Sequence, residues 1–400
     1  MSKQIQEAYI VAATRTPVAK RKGAFRNVRP DDMLAHVLCA VTAKVPGLDL
    51  HEIGDVIVGC AMPEAEQGMN VARIGALLAG FPDSVPGITI NRFCSSGVNA
   101  VADAAMRIQM GEADVMIGAG TESMTVMPQM MGNKIAMNPA IFEHEENIGI
   151  AYGMGLTAEK VATQYKVSRE DQDAFALASH QKACAAIAAG VFRDEIAPYI
   201  VREHQPDFKS SAVRVVEKLI ENDEGPRPDS SMESLAKLRP IFAARGSVTA
   251  GNSSQMSDGA GAVLLMSEAA VKRYNLTPIA KFSGFSVAGV PPQIMGIGPV
   301  EAIPRVLKRA GVTQADVDWV ELNEAFAAQA LAVIRTLGLD PAKVNPLGGA
   351  IALGHPLGAT GAIRVATLMA AMQRDPKLRY GMVTMCIGTG MGAAGLFERM

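Results

Sequence analysis

The chain repeats one order of segments, and this internal repeat constrains its fold more than any other feature of the sequence. Three segments of the first half return in the same order in the second half: 55–59 with 318–322, 94–97 with 355–358, and 115–118 with 383–386. The first two pairs share nearly one offset, and the third requires a short insertion near 375–379. A duplicated α/β lobe would place Cys94, His355 and Cys386 on equivalent loops, where α/β folds bind ligands.

Both halves alternate short runs of β-branched residues with helical patterns, which predicts an α/β fold with helices covering a sheet. The predicted strands are 8–13, 56–59, 88–91, 115–118 and 262–266. The predicted helices are 31–45, 72–79 and 98–110. The region from about 122 to 248 is richer in Met, Pro and charge, and we interpret it as an inserted loop domain. Its Ala-rich helix is predicted to begin after Ser168 and to end near Gly190.

Composition excludes several classes of protein. The 38 basic and 40 acidic residues leave a net charge of −2, which argues against a general nucleic-acid-binding protein. No apolar stretch reaches the length of a membrane-spanning helix, and the first residues do not resemble a secretory signal. The scattered cysteines form no disulfide framework, so we expect a reducing cytoplasm. We interpret Cys39 and Cys60 as core thiols and Cys184 as a packing residue.

The segment 91–97 (NRFCSSG) places Cys94 between a strand and a helix of small residues. A thiol at a helix N-terminus lies near unpaired N–H groups and the positive end of the helix dipole. Both effects predict a pKa lowered from about 8.5 towards neutrality, which would make the thiolate available as a nucleophile. The alternative is a small buried cysteine that packs a turn.

The segment 345–361 surrounds a single histidine, His355, with five glycines. Because Pro356 favours an extended conformation for the preceding residue, we expect the imidazole on a loop and not on a helix face. A histidine held in a glycine-rich loop is a candidate general base. The alternative is a structural histidine with its hydrogen bonds satisfied.

Two further segments follow predicted strands. Residues 385–392 (MCIGTGMG) place Cys386 before glycines whose N–H groups could bind an oxyanion, although a tight strand exit gives the same pattern. Residues 321–326 (ELNEAF) place Asn323 where its amide could hold a water or a carbonyl oxygen. The alternative for Asn323 is helix capping, which is common for this residue type.

Together these segments resemble the thiolases, and within that family the 3-ketoacyl-CoA thiolases. The resemblance covers essentially the whole chain, and the motifs occur in family order: 12–17, 91–97, 246–254, 323–326, 354–356 and 386–388. It implies a duplicated fold of two mixed sheets with layered helices (α-β-α-β-α) and an inserted loop domain. The implied domains are 1–121 with 249–275 for the first lobe, 122–248 for the loop domain that binds coenzyme A, and 276–400 for the second lobe.

The resemblance also implies an activity and its catalytic residues. The implied reaction is thiolysis of 3-ketoacyl-CoA to acetyl-CoA and a shortened acyl-CoA, as in fatty acid β-oxidation. Cys94 resembles the nucleophile that is acylated, His355 its base, and Cys386 the second cysteine that moves a proton. Asn323 resembles the residue that holds a water, which forms one oxyanion hole with His355. The N–H groups of Cys94 and Gly388 resemble the second hole.

The resemblance implies the substrate contacts and partners as well. Five positions match residues that contact coenzyme A in the family: Arg227, Ser234, Phe242, Ala250 and Ser254. Met295 and Phe326 match positions near the acyl pocket. Coenzyme A is then a co-substrate, and no permanently bound cofactor or metal is expected. We expect a homodimer or homotetramer, with an association with a multifunctional β-oxidation enzyme as a further possibility.

One departure from the family pattern bears on the substrate. Gly153 stands where many biosynthetic thiolases have a histidine before Met-Gly, and the segment 124–137 is rich in unbranched Met. Both features favour a site with room for longer acyl chains over one specialised for acetoacetyl-CoA. The alternative activities are an acetoacetyl-CoA thiolase in the condensing direction, a non-catalytic acyl- or lipid-binding subunit, and a decarboxylating ketosynthase.

Overall fold

The computed structural model describes residues 5–126, 137–209 and 211–400. Its strands are β1 Ala8–Arg15, β2 Ala19–Lys20, β3 Ile53–Gly59, β4 Gly87–Ile90, β5 Val115–Ser123, β6 Tyr199–Asp207, β7 Ala212–Ile220, β8 Ser257–Ser267, β9 Ala280–Gly289, β10 Val317–Leu322, β11 Tyr380–Ile387 and β12 Met391–Arg399. Its helices in the described residues are α1 Pro30–Ala43, α2 Val71–Leu78, α3 Ser96–Gln109, α4 Met154–Gln164, α5 Arg169–Ala188, α6 Met232–Ala236, α7 Glu268–Arg273, α8 Gly298–Ala310, α9 Ala327–Leu337, α10 Ala350–Leu353 and α11 Leu357–Arg374. Each strand and helix predicted from the sequence pattern is present at nearly the predicted residues.

The strands confirm the internal repeat. The order along the main sheet is β10-β11-β12-β9-β1-β8-β5-β3-β4, with β2 paired to β8. In the first half β3 is parallel to β5, and β5 is antiparallel to β8. In the second half β10 is parallel to β11, and β11 is antiparallel to β12. The two sheets that the resemblance implies therefore correspond to two halves of this strand series, and both halves have the same parallel and antiparallel pairings.

The two halves are joined where β1 meets β9. Only two residue pairs connect these strands, Tyr9 with Lys281 and Ile10 with Ala280. This short antiparallel pairing joins the two halves into one hydrogen-bonded series of strands. Strands β6 and β7 form a separate antiparallel hairpin within the segment that we interpret as the loop domain.

The helices form three layers around the two sheet halves. Helices α1 and α2 pack on the outer face of the first half, and α8 and α9 pack on the outer face of the second. The middle layer is α3 and α11, whose buried residues share one hydrophobic cluster with strands of both halves. A Cβ atom on Gly97 would lie only 2.6 Å from the backbone nitrogen of Ala362, so α3 and α11 approach with their backbones in contact.

A buried guanidinium attaches the 195–223 segment to the first half. Arg15, on β1, binds Asp223 with both terminal nitrogens at 2.7 and 2.9 Å and Glu195 with Nε at 2.6 Å. All three side chains are buried. The two carboxylates, one of them bound by both terminal nitrogens, compensate the desolvation cost of burying the arginine charge. Without such partners a buried charge would be strongly destabilising.

The cysteines differ from the prediction at one position. Cys60 is buried as expected, and Cys184 is half-buried on α5. Cys39 is exposed, so its assignment to the core is wrong. The buried side of α1 is formed by Met33, Leu34, Val37, Leu38 and Val41, and Cys39 falls outside that stripe.

Candidate active site

The turn that carries Cys94 is held by its own side chains. Phe93–Ser95 form a single helical turn directly before α3. The Phe93 N–H donates to Asn91 Oδ1 at 2.8 Å, and the Ser96 hydroxyl donates to the Phe93 carbonyl at 2.7 Å. Phe93 has a φ of 46°, which is costly for a residue with a side chain. The hydrogen bonds therefore maintain a strained turn that presents Cys94 at the helix N-terminus.

The Cys94 thiol does not have the lowered pKa that its position predicts. The backbone N–H of Gly388 donates to its sulfur and lowers the pKa, but burial has the larger effect and raises the pKa to about 11. The prediction of a near-neutral pKa is wrong because the helix N-terminus lies inside the protein, where a thiolate loses its hydration. The thiol is therefore neutral before substrate binds.

His355 lies in the short link between α10 and α11, as its glycine-rich surroundings predict. Its Nδ1 is 2.7 Å from Thr360 Oγ1, and its Nε2 is 3.3 Å from the side-chain nitrogen of Asn323. With the Asn323 amide donating to Nε2, the ring proton lies on Nδ1 and Nε2 is the acceptor. Burial and the positive charge of Arg364 lower the pKa of His355 to about 3, so the imidazole is also neutral.

Asn323 has one hydrogen-bonding atom without a partner. Its backbone N–H donates to the Thr384 carbonyl at 2.9 Å, which fixes it at the end of β10 beside β11. Its side-chain Oδ1 is buried and makes no hydrogen bond to any other described residue. A buried unpaired carbonyl oxygen is costly unless a donor occupies the site during function.

Cys386 is the next-to-last residue of β11 and does not lie in the turn that follows. It is fully buried, in one apolar cluster with Ala158, Val248, Met295, Ala325 and Phe326. Burial raises its pKa well above the usual value, and the nearby Cys94 raises it further. The two cysteines are therefore neighbours, and the predicted acyl-pocket residues Met295 and Phe326 lie in the same cluster as Cys386.

Glu324 and Asn345 hold the surrounding loops, and sequence reasoning did not single them out. The Asn345 amide donates to Glu324 Oε1 at 2.8 Å and pairs with both backbone groups of Leu322. Glu324 also accepts hydrogen bonds from the Ser179 hydroxyl and the Ile351 N–H. The signal for both was their place in the two functional segments, Glu324 directly after Asn323 and Asn345 directly before Pro346.

A cavity of about 250 Å³ lies beside this site and includes three of the predicted coenzyme A contacts. Arg227, Ser234 and Ala250 line it. Phe242 and Ser254 do not line it, but each contacts a residue of the Cys386 cluster. Phe242 packs edge-to-face on Phe326 with ring centroids 6.1 Å apart, and the Ser254 N–H donates to the Ala325 carbonyl at 2.9 Å.

His180, on α5, lines the same cavity and was not predicted. Its Nδ1 accepts the backbone N–H of Arg227 at 3.1 Å. Burial and the charge of Arg227 lower its pKa to about 4, so the ring is a neutral acceptor that fixes the arginine's backbone. The signal in the sequence was a pair of polar residues, Ser179 and His180, in line with the buried alanines of an Ala-rich helix.

Gly153 occupies the position where many biosynthetic thiolases have a histidine, and there is space around it. Gly153 is the N-cap of α4, and a Cβ atom placed on it would meet no atom of the described residues within 4 Å. Met154 follows, and its sulfur is 3.5 Å from the place of a Cβ on Gly388. The structure therefore has space at Gly153, close to the turn that contacts Cys94. The Met-rich segment 124–137 falls mostly outside the described residues, which omit 127–136.

Residues 5–126, 137–209 and 211–400 lack two other kinds of feature. No group of three or more histidine, cysteine or acidic side chains there could hold a metal ion. Within the same residues, no helix combines the length and hydropathy needed to cross a membrane.

Comparisons with known proteins identify related sequences along the whole chain. Residues 8–269 match the family model "Thiolase, N-terminal domain", and residues 276–399 match "Thiolase, C-terminal domain". The Bacillus subtilis protein named 3-ketoacyl-CoA thiolase is 51% identical over 397 residues, covering 98% of this chain and 100% of the relative. The rat protein named 3-ketoacyl-CoA thiolase B, peroxisomal, is 46% identical over 395 residues, covering 98% of this chain and 91% of the relative.

Solved structures agree with the sequence matches. The dimeric peroxisomal thiolase of Saccharomyces cerevisiae is 42% identical, with a TM-score of 0.90 over 99% of this chain and 98% of that structure. The Bacillus anthracis acetyl-CoA acetyltransferase is 39% identical, with a TM-score of 0.89 over 100% of both chains.

Proposed function

The chain belongs to the thiolase family, and on that premise we propose that it cleaves 3-ketoacyl-CoA by thiolysis in fatty acid β-oxidation. The products are acetyl-CoA and an acyl-CoA that is two carbons shorter. The observations that support the proposal are two buried pairs, Cys94 beside Cys386 and His355 beside Asn323. Relatives named 3-ketoacyl-CoA thiolase at 51% and 46% identity support the substrate class.

Cys94 is the proposed nucleophile. Its proton passes to Nε2 of His355, and the resulting thiolate attacks the keto carbon of the substrate. The bond between the α- and β-carbons then breaks, which leaves the acyl group on Cys94 as a thioester and releases acetyl-CoA as an enolate. Because both the thiol and the imidazole are neutral at rest, the proton transfer must be coupled to substrate binding, which introduces the stabilising contacts.

Cys386 is the proposed acid and base at the α-carbon. Its thiol gives a proton to the acetyl-CoA enolate, and it regains one when the thiol of free coenzyme A attacks the acyl-enzyme. Its raised pKa suits this role, since a neutral thiol holds its proton until a carbanion-like centre forms beside it.

Two sets of donors are proposed for the oxygen atoms that gain negative charge. One is His355, whose Nε2 becomes a donor once it has taken the Cys94 proton, together with a water that donates to the unpaired Oδ1 of Asn323. The other is the N–H groups of Cys94 and Gly388. The Gly388 N–H now donates to the Cys94 sulfur, so it already points at the reacting centre and could transfer to the substrate oxygen.

Coenzyme A is proposed to bind in the cavity lined by Arg227, Ser234 and Ala250. Arg227 is exposed, and its guanidinium can meet the phosphates of a polyanionic ligand. Phe242 and Ser254, which contact Phe326 and Ala325 of the Cys386 cluster, are proposed to meet the pantetheine arm. The proposed reaction uses coenzyme A as co-substrate and only thiol, imidazole and amide groups of the chain, without a resident cofactor.

A homodimer through β4 is the proposed assembly. Strand β4 ends the first half of the sheet, and no strand in the described residues pairs with its outer edge. Large apolar side chains are exposed on and near it, namely Ile88, Leu77 and Met69. An unpaired edge with apolar neighbours is a site for association. The yeast structure is described as dimeric, which supports a dimer over a tetramer.

The proposed compartment is the cytoplasm. All five cysteines are free, and one of them, Cys39, is exposed, which suits a reducing environment. Since several relatives are named as peroxisomal, this proposal rests on the thiols alone. The association with a multifunctional β-oxidation enzyme stays a prediction.

The second candidate is an acetyl-CoA C-acetyltransferase that condenses two acetyl groups, because a structure of that name has the same fold. The open space at Gly153 favours the first candidate. Steady-state thiolysis with 3-ketoacyl-CoA substrates of four to sixteen carbons tests the choice. Higher kcat/KM at six or more carbons supports the 3-ketoacyl-CoA thiolase. Turnover of acetoacetyl-CoA alone favours the second candidate, and no turnover of any substrate favours a binding subunit.

A further inference from the structure

The helix that follows His355 cannot cap its own N-terminus. Pro356 occupies the N-cap position of α11 and makes no side-chain cap hydrogen bond. The first N–H groups of a helix need acceptors, and serine, threonine, aspartate or asparagine normally supply one. Here the acceptor comes from another strand, because Glu122 on β5 accepts the N–H of Gly358 at 2.9 Å. A carboxylate at this place also meets the positive end of the α11 dipole.

The remaining partners of Glu122 belong to the loop after β3. Its carboxylate accepts the N–H of Ala61 at 2.7 Å, the N–H of Met62 at 3.3 Å, and the side-chain amide of Gln67. Glu122 is fully buried, and burial raises its pKa while these N–H groups lower it. Every one of these groups is a donor, so both oxygens of Glu122 must act as acceptors.

The same loop continues to the nucleophile. The Ala61 carbonyl accepts the side-chain nitrogen of Asn91 at 3.0 Å. Asn91 Oδ1 in turn accepts the N–H of Phe93 at 2.8 Å, and Phe93 precedes Cys94. A chain of hydrogen bonds therefore runs from the start of α11, through Glu122 and the 60–62 loop, to the turn that carries Cys94.

Close backbone packing leaves this connection little freedom. A Cβ atom on Gly358 would lie 2.5 Å from the Ala61 nitrogen, and one on Gly120 would lie 2.5 Å from the Gly358 carbonyl oxygen. The start of α11, strand β5 and the 60–62 loop are therefore in direct backbone contact. A change at Glu122 would be transmitted to both ends, since there is no gap to absorb it.

We propose that Glu122 is a positioning residue that sets the separation of Cys94 and His355 by binding the start of α11 and the 60–62 loop at once. The inference rests on the proposed function of these two residues. Glu122 touches neither substrate nor the reacting atoms in this scheme. Its effect is on the geometry of proton transfer between the thiol and the imidazole, which acyl transfer needs and simple alkylation of the thiol does not.

The test uses Glu122→Gln in the full-length enzyme. Glutamine keeps the shape of the side chain, but its amide N–H₂ would face the N–H donors that the carboxylate now accepts. The connection between the start of α11 and the 60–62 loop should therefore open. We expect kcat for thiolysis to fall at least tenfold while the KM for coenzyme A stays within twofold. Iodoacetamide labelling of Cys94, measured by peptide mapping, should not slow, because removal of a nearby negative charge favours the thiolate. Glu122→Asp, which keeps both acceptors, should recover part of the lost kcat.

Glu195→Gln is the matched control. Glu195 is also a buried carboxylate that holds α11, but it does so at mid-helix, accepting the Thr367 hydroxyl at 2.8 Å. This variant should lose thermal stability without a comparable loss of kcat. Asn91→Ala breaks the chain at its exposed end and should show the Glu122→Gln kinetics even if Glu122→Gln does not fold.

The outcomes separate this inference from the proposed function. Absence of thiolysis in the wild-type enzyme would overturn the proposed function. Wild-type turnover with unchanged kcat in folded Glu122→Gln, or in Asn91→Ala, would overturn the positioning role alone. Two other results would show that Glu122 is only structural and would also overturn the positioning role. One is a fall in Cys94 labelling that matches the fall in kcat in Glu122→Gln, and the other is an equal loss of kcat in Glu195→Gln.

Discussion

The backbone N–H of Gly388 donates a hydrogen bond to the sulfur of Cys94. Cys94 belongs to the first half of the repeat and Gly388 to the second, so the proposed nucleophile is completed by a group from the other half. The hydrogen bond stabilises a thiolate, but burial opposes it more strongly. The resting site is therefore a neutral pair that becomes charged only during the reaction.

The two cysteines should be separable by partial reactions. Cys94→Ala should abolish formation of an acyl-enzyme from acyl-CoA, because the neighbouring thiol of Cys386 is proposed to exchange a proton at the α-carbon and not to accept the acyl group. Cys386→Ala should still be acylated but should neither make nor break the carbon–carbon bond. Mass spectrometry of the acylated protein and a thiolysis assay measure the two steps. Equal loss of both steps in both variants would contradict the division of roles.

The pH dependence of Cys94 labelling should reflect its raised pKa. With a pKa of about 11, the thiolate fraction and the alkylation rate should rise tenfold per pH unit through pH 10. Exposed Cys39 should be labelled before Cys94 by a small neutral reagent at pH 7. Peptide mapping after limited labelling between pH 7 and pH 10.5 measures both. A plateau for Cys94 below pH 9 would show that the helix N-terminus outweighs burial.

Glu321 should make stability depend on pH. Burial raises its pKa to about 7, with Arg364 3.6 Å away and one oxygen that receives no hydrogen bond from the residues that the structure describes. Since the folded pKa lies above the unfolded value, its stabilising contribution is full below about pH 4.5 and is lost as the pH rises through 7. The loss is on the order of 3 kcal/mol.

Glu321→Gln removes this titration. Between pH 4 and pH 8 the free energy of unfolding of the wild type should therefore fall, relative to that of the variant, by on the order of 3 kcal/mol. Urea unfolding at several pH values measures it. A difference that stays constant with pH would show that Glu321 remains ionised through the range, paired with Arg364.

Gly153→His should narrow the acyl-chain preference. A side chain there would fill the open space beside Met154 and Gly388. Each methylene that can no longer be buried loses about 0.8 kcal/mol, so kcat/KM should fall roughly fifteenfold per two carbons for substrates longer than the remaining pocket. Acetoacetyl-CoA should be affected least. Gly153→Ala, whose added carbon meets no atom of the described part of the chain within 4 Å, is the control. An unchanged chain-length profile in Gly153→His would place the acyl tail elsewhere.

Arg227→Ala should weaken binding of coenzyme A. The side chain lines the cavity, and the net charge of −2 gives the protein no general attraction for a polyanion. The KM for coenzyme A should rise about tenfold with kcat within twofold, corresponding to one charge-assisted contact. Arg305→Ala, an exposed arginine on α8, is the control. A fall in kcat at saturating coenzyme A with unchanged KM would contradict the assignment.

The sequence predicts the path of the chain well because the signals are local. The β-branched runs and the Ser168 cap identify elements by residues that are neighbours in the chain, and Ser168 does accept the Asp171 N–H. The order of Cys94, His355 and Cys386 in the repeat predicts that they meet. Family resemblance adds Arg227, Ser234 and Ala250, which share one cavity.

Features that depend on burial could not be predicted in the same way. The pKa of Cys94 follows from desolvation by both halves of the repeat, which no local window contains. Glu122 contacts Gly358 across 236 positions of sequence, so nothing near it indicates a cap. Cys39 is a different case, since the helical spacing of Leu34, Val37 and Val41 already placed it off the buried stripe.

The equivalence of the Cys94 and His355 loops has a consequence for symmetry. Each loop leads into a helix of the middle layer, α3 or α11, and the two helices touch at Gly97 and Gly361. Two identical halves would present either two thiols or two imidazoles at that seam, and neither pair could act as both nucleophile and base. The proposed chemistry is available only to a chain whose two copies have become unlike. The fold has approximate twofold symmetry, and its reactivity depends on the positions where the two halves carry different residues.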